Sequence, residues 1–149
     1  GLRTFRALPD RLEIVAEVDG VLWINDSKAT NVSSTLVAVQ GMTRPTVLLL
    51  GGRHKGEPYT ALAEPLRRIG RAVIAYGEAA PLVERDLEGV VPLVRLGSGF
   101  DEVMHRARAL AQRGDVVLLS PACSSYDMFA NYGERGATFR RLAAPVRGS

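Results

Sequence analysis

In the stretch Val21-Leu22-Trp23-Ile24-Asn25-Asp26-Ser27-Lys28-Ala29-Thr30-Asn31, an apolar run passes directly into side chains that hydrogen-bond or carry charge. The apolar part reads as a strand. The polar part holds neither Gly nor Pro, which an ordinary turn recruits. Asp26 accepts hydrogen bonds, Lys28 brings a positive charge, and Asn25, Ser27, Thr30 and Asn31 donate and accept. A helix-start signal follows in Asn31, Ser33, Ser34 and Thr35, ahead of Leu36-Val37-Ala38-Val39. A strand end feeding a helix N-terminus favours anions, because backbone N–H groups and the helix dipole point at it.

Upstream, Arg11 to Val18 alternates, with Leu12, Ile14, Ala16 and Val18 on one side, as in a half-buried strand. Asp19-Gly20 is a two-residue hairpin signal, so Val21 to Ile24 is expected to return antiparallel. Downstream, a helix is predicted over about Ser34 to Gln40, stopped near Gly41 and Pro45. Thr46 to Leu50 is a continuous apolar run of the kind buried parallel strands show. It ends in Gly51-Gly52-Arg53-His54-Lys55-Gly56. A helix over about Tyr59 to Ile69 contains Pro65, which should kink or shorten it. Arg71 to Tyr76 reads as a strand, Glu78 to Leu87 as a helix, and Val90 to Leu96 as a strand. Phe100, Val103, Met104, Ala107, Leu110 and Ala111 share one helical face. Asp115 to Leu119 is the last apolar strand. It runs into Ser120-Pro121-Ala122-Cys123-Ser124-Ser125, and a short helix and a final one through Phe139 and Leu142 are expected to follow.

Strands alternating with helices predict an α/β fold. The expected form is a Rossmann-like, mostly parallel sheet with helices on both faces, entered through an antiparallel β-hairpin. Ligands of such sheets bind beyond the carboxyl ends of the strands. The loops 26–31, 51–56 and 120–125 all follow predicted strand ends, so they are expected along one edge.

With 149 residues the chain is expected to form one domain. The net charge of +3 is modest and its basic residues are scattered, which argues against a nucleic-acid partner. No apolar run approaches the roughly 20 residues of a membrane span, so no membrane partner is expected. Cys123 is the only cysteine, which excludes an intrachain disulfide and fits a reducing cytoplasm. With no signal peptide and Gly1 rather than Met at the start, a piece of a longer protein is expected. Lys28 and Lys55 are the only lysines, and both sit in polar loops after strands. Two residues are few enough for chance to place them; the functional reading is that a compact, rotatable ammonium is needed there and a planar guanidinium would not serve.

Gly51-Gly52 with Lys55 is not a P-loop, because the G-x-x-x-x-G-K-[ST] spacing is absent. Cys123 reads as a small buried hydrophobe rather than a nucleophile. Ser125 reads as the N-cap of the short helix or as a carboxylate holder. His54 reads as an exposed bystander, His105 as surface, and Trp23 and Phe139 as core. Spacing alone leaves Arg11 and Asp26 open between a solvated or capping role and a ligand.

Four segments then occur in order. They are Pro9-Asp10-Arg11-Leu12-Glu13, Asn25 to Asn31, Leu48-Leu49-Leu50-Gly51-Gly52 with Lys55, and Leu118 to Asp127 with Phe129. Together they resemble the carboxyl-terminal domain of the Mur ligases, the ATP-dependent enzymes that build the peptidoglycan stem peptide. The resemblance covers essentially the whole chain, 1–149. The Asp-Ser-Lys-Ala-Thr-Asn form is similar to the D-glutamate-adding branch and unlike its sisters.

The resemblance implies the third domain of a three-domain ligase. The UDP-binding and central ATPase domains, with the P-loop, the magnesium ligands and a carbamylated lysine, would lie outside this chain. The fragment alone is expected to be inactive. In the family reaction ATP phosphorylates the carboxylate of UDP-N-acetylmuramoyl-L-alanine, and the amine of D-glutamate attacks the acyl phosphate. By motif, Arg11 and Asp26 would touch ATP and Lys28 would lie near its phosphates as the catalytic cation. Thr30 and Lys55 would hold one carboxylate of D-glutamate, and Ser125 and the N–H of Tyr132 the other. ATP and Mg2+ are the implied cofactors. A cytoplasmic monomer is expected. The chain departs from the family in having Asp10 for His and Tyr132 for Phe. The other readings are a sister Mur ligase, a folylpolyglutamate-synthetase-like domain, or a free-standing binding module.

Overall fold

The computed structural model describes residues 10–144, so Pro9 of the first motif lies outside the described residues. Strands β1 (Glu13–Val18) and β2 (Val21–Asn25) form the antiparallel hairpin. Asp19 and Gly20 both take positive φ, 54° and 80°, as a primed two-residue turn requires. β3 (Thr46–Gly51), β4 (Gly70–Tyr76), β5 (Leu93–Arg95) and β6 (Val116–Leu119) run parallel to β2. The sheet order is β1-β2-β6-β3-β4-β5.

Side chains alternate across the sheet, so each buried strand feeds two cores. Leu48 and Leu50, Val73 and Ala75, and Val116 and Leu118 pack with α1 (Val32–Gln40), α2 (Ala63–Ile69) and α3 (Ala80–Leu87). Val47 and Leu49, Ile74 and Tyr76, and Val117 and Leu119 pack with α4 (Phe100–Leu110) and α5 (Tyr132–Ala143). Trp23 and Phe139 lie in this second core, 6.0 Å apart between ring centroids. The predicted mostly parallel sheet, covered on both faces, is the observed one.

Three local expectations fail. The alternation predicted for β1 is broken by a bulge between Ile14 and Ala16, which pair with Ile24 and Trp23. One extra residue reverses the phase of a strand. Ile14 is therefore 64% exposed, while Val15, Ala16 and Val18 pack on the second core. The helix predicted from Tyr59 is split into a 3₁₀ turn, Thr60–Leu62, and α2. Pro65 is buried in the first turn of α2, where its missing N–H costs nothing. The short helix expected after Ser125 is absent. The Ser125 carbonyl accepts from Met128 N at 3.0 Å and Phe129 N at 2.8 Å, and that single turn does not continue. Ser125 is thus not an N-cap. That role falls to Asn31 and Asn131, whose side chains accept from Ser34 N and Glu134 N.

Gly51 ends β3 against β4. A Cβ there would fall on the Tyr76 carbonyl of the neighbouring strand. Gly51→Ala is expected to destabilise the chain by about 2–3 kcal/mol. A lower urea midpoint at unchanged m-value checks this.

At the opposite end of the sheet, the buried Asp115 carboxylate accepts two hydrogen bonds from Arg71, at 2.9 and 3.0 Å, and one from Gln112 N at 2.8 Å. Burial acts to raise its pKa, but Arg71 and the Gln112 N–H hold the carboxyl below its usual value. A carboxylate depressed on folding stabilises above its unfolded pKa, about 3.9, and loses that contribution as pH falls through the folded one. The stability gap between the parent chain and Asp115→Asn is expected to be largest near neutrality and to shrink below about pH 4. Urea melts of the two proteins across that range test it.

Candidate functional site

The three polar loops meet at the carboxyl ends of the parallel strands, and backbone hydrogen bonds tie them together. Ala122 N donates to Ala29 O at 2.9 Å, Gly51 N to Pro121 O at 3.2 Å, and Arg53 N to Ser124 O at 2.9 Å. Val32 N donates to Glu57 Oε1 at 3.2 Å. The expected single edge is therefore present. Ala122 holds φ at 64°, an uncommon left-handed geometry for a residue with a side chain.

Arg11, Asp26 and Lys28 line one cleft of about 300 Å³, together with Leu12, Ser34 and Val37. Asp26 is buried. Its Oδ2 accepts from Ser120 Oγ at 2.7 Å and its Oδ1 from Leu12 N at 3.1 Å. Burial raises its pKa, opposed by the Ser120 hydroxyl, the Leu12 N–H and the Arg11 charge. Leu12 adopts φ 48° to make its contact. Each Asp26 oxygen retains a second lone pair for an outside donor. The exposed Leu12 and Val37 add an apolar flank to a cleft that otherwise carries two cations and a carboxylate.

Thr30, Lys55, Ser125 and Tyr132 share a different property. Lys55 is exposed and makes no ion pair among the described residues. The hydroxyls of half-buried Thr30 and buried Ser125 have no hydrogen-bond partner among those residues. Tyr132 opens α5, so its N–H is one of the donors a helix start leaves unpaired. Its carbonyl accepts from Ser27 Oγ at 2.7 Å, which fixes the start of α5 to the first loop. A cation, two hydroxyls and a helix-start N–H are donors of the kind a carboxylate accepts from.

Cys123 is buried, as expected, and its thiol lies 3.1 Å from Tyr59 Oη. Burial pushes it up to about 11, against the pull of the Tyr59 bond and the Arg135 and Lys55 charges. It is a thiol at neutral pH and no nucleophile. His105 is on the surface. His54 differs from its expectation. It is half-buried and its Nδ1 lies 2.8 Å from Tyr59 Oη.

Sequence reasoning missed two residues that build this edge. Arg135 of α5 is fully buried. Its Nε donates to Ser27 Oγ at 2.8 Å, Nη2 to Ser27 O at 2.8 Å, and Nη1 to Cys123 O at 3.0 Å. One guanidinium thus clasps the first and third loops. Burial lowers its pKa, opposed by the neighbouring Tyr76, Cys123, Asp127 and Asp10. The available signal was Gly136 inside a helix, where glycine is disfavoured without a packing reason. A Cβ there would fall on the Asp10 carboxylate and the Asn25 amide. Asp10 is the second missed residue. Its carbonyl accepts from Lys28 N at 2.8 Å and its carboxylate from Asn25 Nδ2 at 2.9 Å.

The sheet order and this loop edge define a Rossmann-like α/β domain with three polar loops gathered at the carboxyl ends of its strands. The family model for the Mur ligase, glutamate ligase domain matches residues 10–123, and the chain belongs to that family. Among individual proteins, it is similar to the UDP-N-acetylmuramoylalanine–D-glutamate ligase of Salinibacter ruber. The two are 52% identical over 141 residues, 95% of this chain and 31% of the relative. The ligase of the same name from Chromobacterium violaceum is 46% identical over 147 residues, 99% of this chain and 32% of the relative. The chain therefore spans about a third of the length of these relatives. Solved structures share the fold. A murein peptide ligase of Psychrobacter arcticus superposes with a TM-score of 0.62 at 15% identity, covering 97% of this chain and 32% of that one. The MurF ligase of Thermotoga maritima in complex with ADP gives 0.56 at 17% identity, with 95% and 32% covered.

Proposed function

We propose that this chain is the carboxyl-terminal domain of the ATP-dependent ligase that joins D-glutamate to UDP-N-acetylmuramoyl-L-alanine. The observation that carries the reading is the set of uncommitted donors at Thr30, Lys55, Ser125 and Tyr132 on one edge. The names and identities of the relatives support the same substrate.

D-Glutamate carries two carboxylates. Lys55 with the Thr30 hydroxyl holds one, and the Ser125 hydroxyl with the Tyr132 N–H holds the other. Two anchors fix the orientation of the amine, so that it meets an acyl phosphate in line. In the neighbouring cleft Asp26 accepts from the ribose hydroxyls of ATP, Arg11 supports it, and Lys28 neutralises phosphate charge. The apolar flank of Leu12 and Val37 suits a nucleobase. Closure of this domain over a central ATPase domain brings the two halves together. Mg2+ would be held by that central domain, and the isolated chain would not turn over. The enzyme would act as a monomer in the cytoplasm, where its nucleotide substrates are made.

In the enzyme that carries this domain, Ser125→Ala is expected to raise KM for D-glutamate about tenfold and leave KM for ATP unchanged. Asp26→Asn is expected to act chiefly on KM for ATP. Steady-state kinetics with each substrate varied in turn test this partition. Equal effects of both variants on both substrates would refute it.

A further inference from the structure

Tyr59 joins the loop that carries Lys55 to the loop that carries Ser125. Tyr59 is 1% exposed. Its backbone N–H is anchored on Asp86 Oδ2 of α3 at 2.9 Å. Its hydroxyl lies between His54 Nδ1, at 2.8 Å, and Cys123 Sγ, at 3.1 Å. The His54 ring packs on it with centroids 5.6 Å apart.

The protons in this row have a preferred direction. The phenol has one proton and two candidate acceptors. An imidazole nitrogen is a good acceptor and a thiol sulfur a weak one. The favoured arrangement is Cys123 S–H donating to Tyr59 Oη, and Tyr59 O–H donating to His54 Nδ1. The neutral ring then carries its proton on Nε2, which has no partner among the described residues. His54 directly precedes Lys55 and is half-buried, so its ring is held rather than free in solvent. Charged groups near the row include Asp86 and Glu57, which act on Tyr59, and Lys55, Arg135 and Asp127, which act on Cys123.

We propose that His54 is a further binding residue for the acceptor amino acid, donating from Nε2–H to the carboxylate that Lys55 holds, with Tyr59 and Cys123 as the residues that fix its tautomer. This rests on the D-glutamate reading for the identity of the carboxylate. A second donor beside an exposed ammonium adds direction to an interaction that charge alone leaves loose. Nothing is transferred along the row. It sets which nitrogen bears the proton and where the ring points.

The test combines kinetics of the full ligase with 15N NMR of the histidine ring. His54→Ala is expected to raise KM for D-glutamate about tenfold with KM for ATP unchanged. His54→Gln, whose amide reaches the Nε2 position, should recover most of that loss. Tyr59→Phe keeps the ring packing and removes the hydroxyl that fixes the tautomer. It should raise the same KM by a smaller factor and turn the single Nε2–H signature of His54 into a tautomer mixture. An Nδ1–H tautomer in the parent protein would overturn the proposal. So would an unchanged KM in His54→Ala while Lys55→Ala raises it, which leaves the D-glutamate reading standing. If neither variant moves that KM, the D-glutamate reading fails and the proposal with it.

Discussion

Arg135→Ala is expected to destabilise the chain by about 3–5 kcal/mol, the largest effect of any single change on this edge. Three hydrogen bonds from a charged group are lost at once. The carbonyls of Ser27 and Cys123 are left buried without these donors, and a large side chain is removed from a fully buried position. For a chain of this size the melting temperature should fall by roughly 10–20 °C. The charge itself opposes folding, since burial lowers the Arg135 pKa. Arg135→Met fills the volume without a buried charge, so it should recover part of the stability. It should not recover the clasp. Amide exchange at residues 27–30 and 122–125 is expected to quicken in both variants, because both lose the one side chain that, among the described residues, bridges Ser27 to Cys123. Arg135→Lys retains a charge but lacks the fork, so it should hold one loop and release the other. A melting temperature within about 2 °C of the parent in Arg135→Ala would show that the clasp contributes little.

The second large effect is functional. Lys55→Ala in the full ligase is expected to raise KM for D-glutamate by about 10- to 100-fold, as for a charge-assisted bond to a carboxylate. KM for ATP should stay within about twofold, because Lys55 lies in a different loop from the cleft of Arg11, Asp26 and Lys28. Stability should hardly change, since Lys55 is exposed and forms no ion pair among the described residues. Lys55→Arg should restore little: the guanidinium is longer, planar and more weakly hydrated. The parent interaction should also weaken with ionic strength, as an exposed charge is screened. An unchanged KM in Lys55→Ala would remove the carboxylate clamp from the mechanism.

Much of this protein is legible locally. Asp19-Gly20 dictates its hairpin because a primed turn needs two positive φ values, and these residues tolerate them. Val47 to Leu50 and Val116 to Leu119 announce strands buried on both faces through unbroken apolar runs. The lysines at 28 and 55 mark the edge because each follows a strand end. These features depend on neighbours within a few residues, and a sequence displays such neighbours directly.

Other features depend on partners far along the chain. The bulge at Val15 exists because β1 must match the register of β2 while turning Val15, Ala16 and Val18 toward a core built by α4 and α5. Arg135 reads as one more surface arginine of a helix until the fold places Ser27 and Cys123 around it. His54 reads as a bystander until Tyr59 and Cys123 close on its Nδ1 side. The sequence by itself determined the sheet, its two covered faces and the edge where the polar loops gather, because apolar period and turn chemistry are local. Only the tertiary structure decided which polar side chains are spent holding that edge together and which remain free to bind. Hydrogen-bond satisfaction in a buried site is settled by contacts between residues as far apart as Ser27 and Arg135.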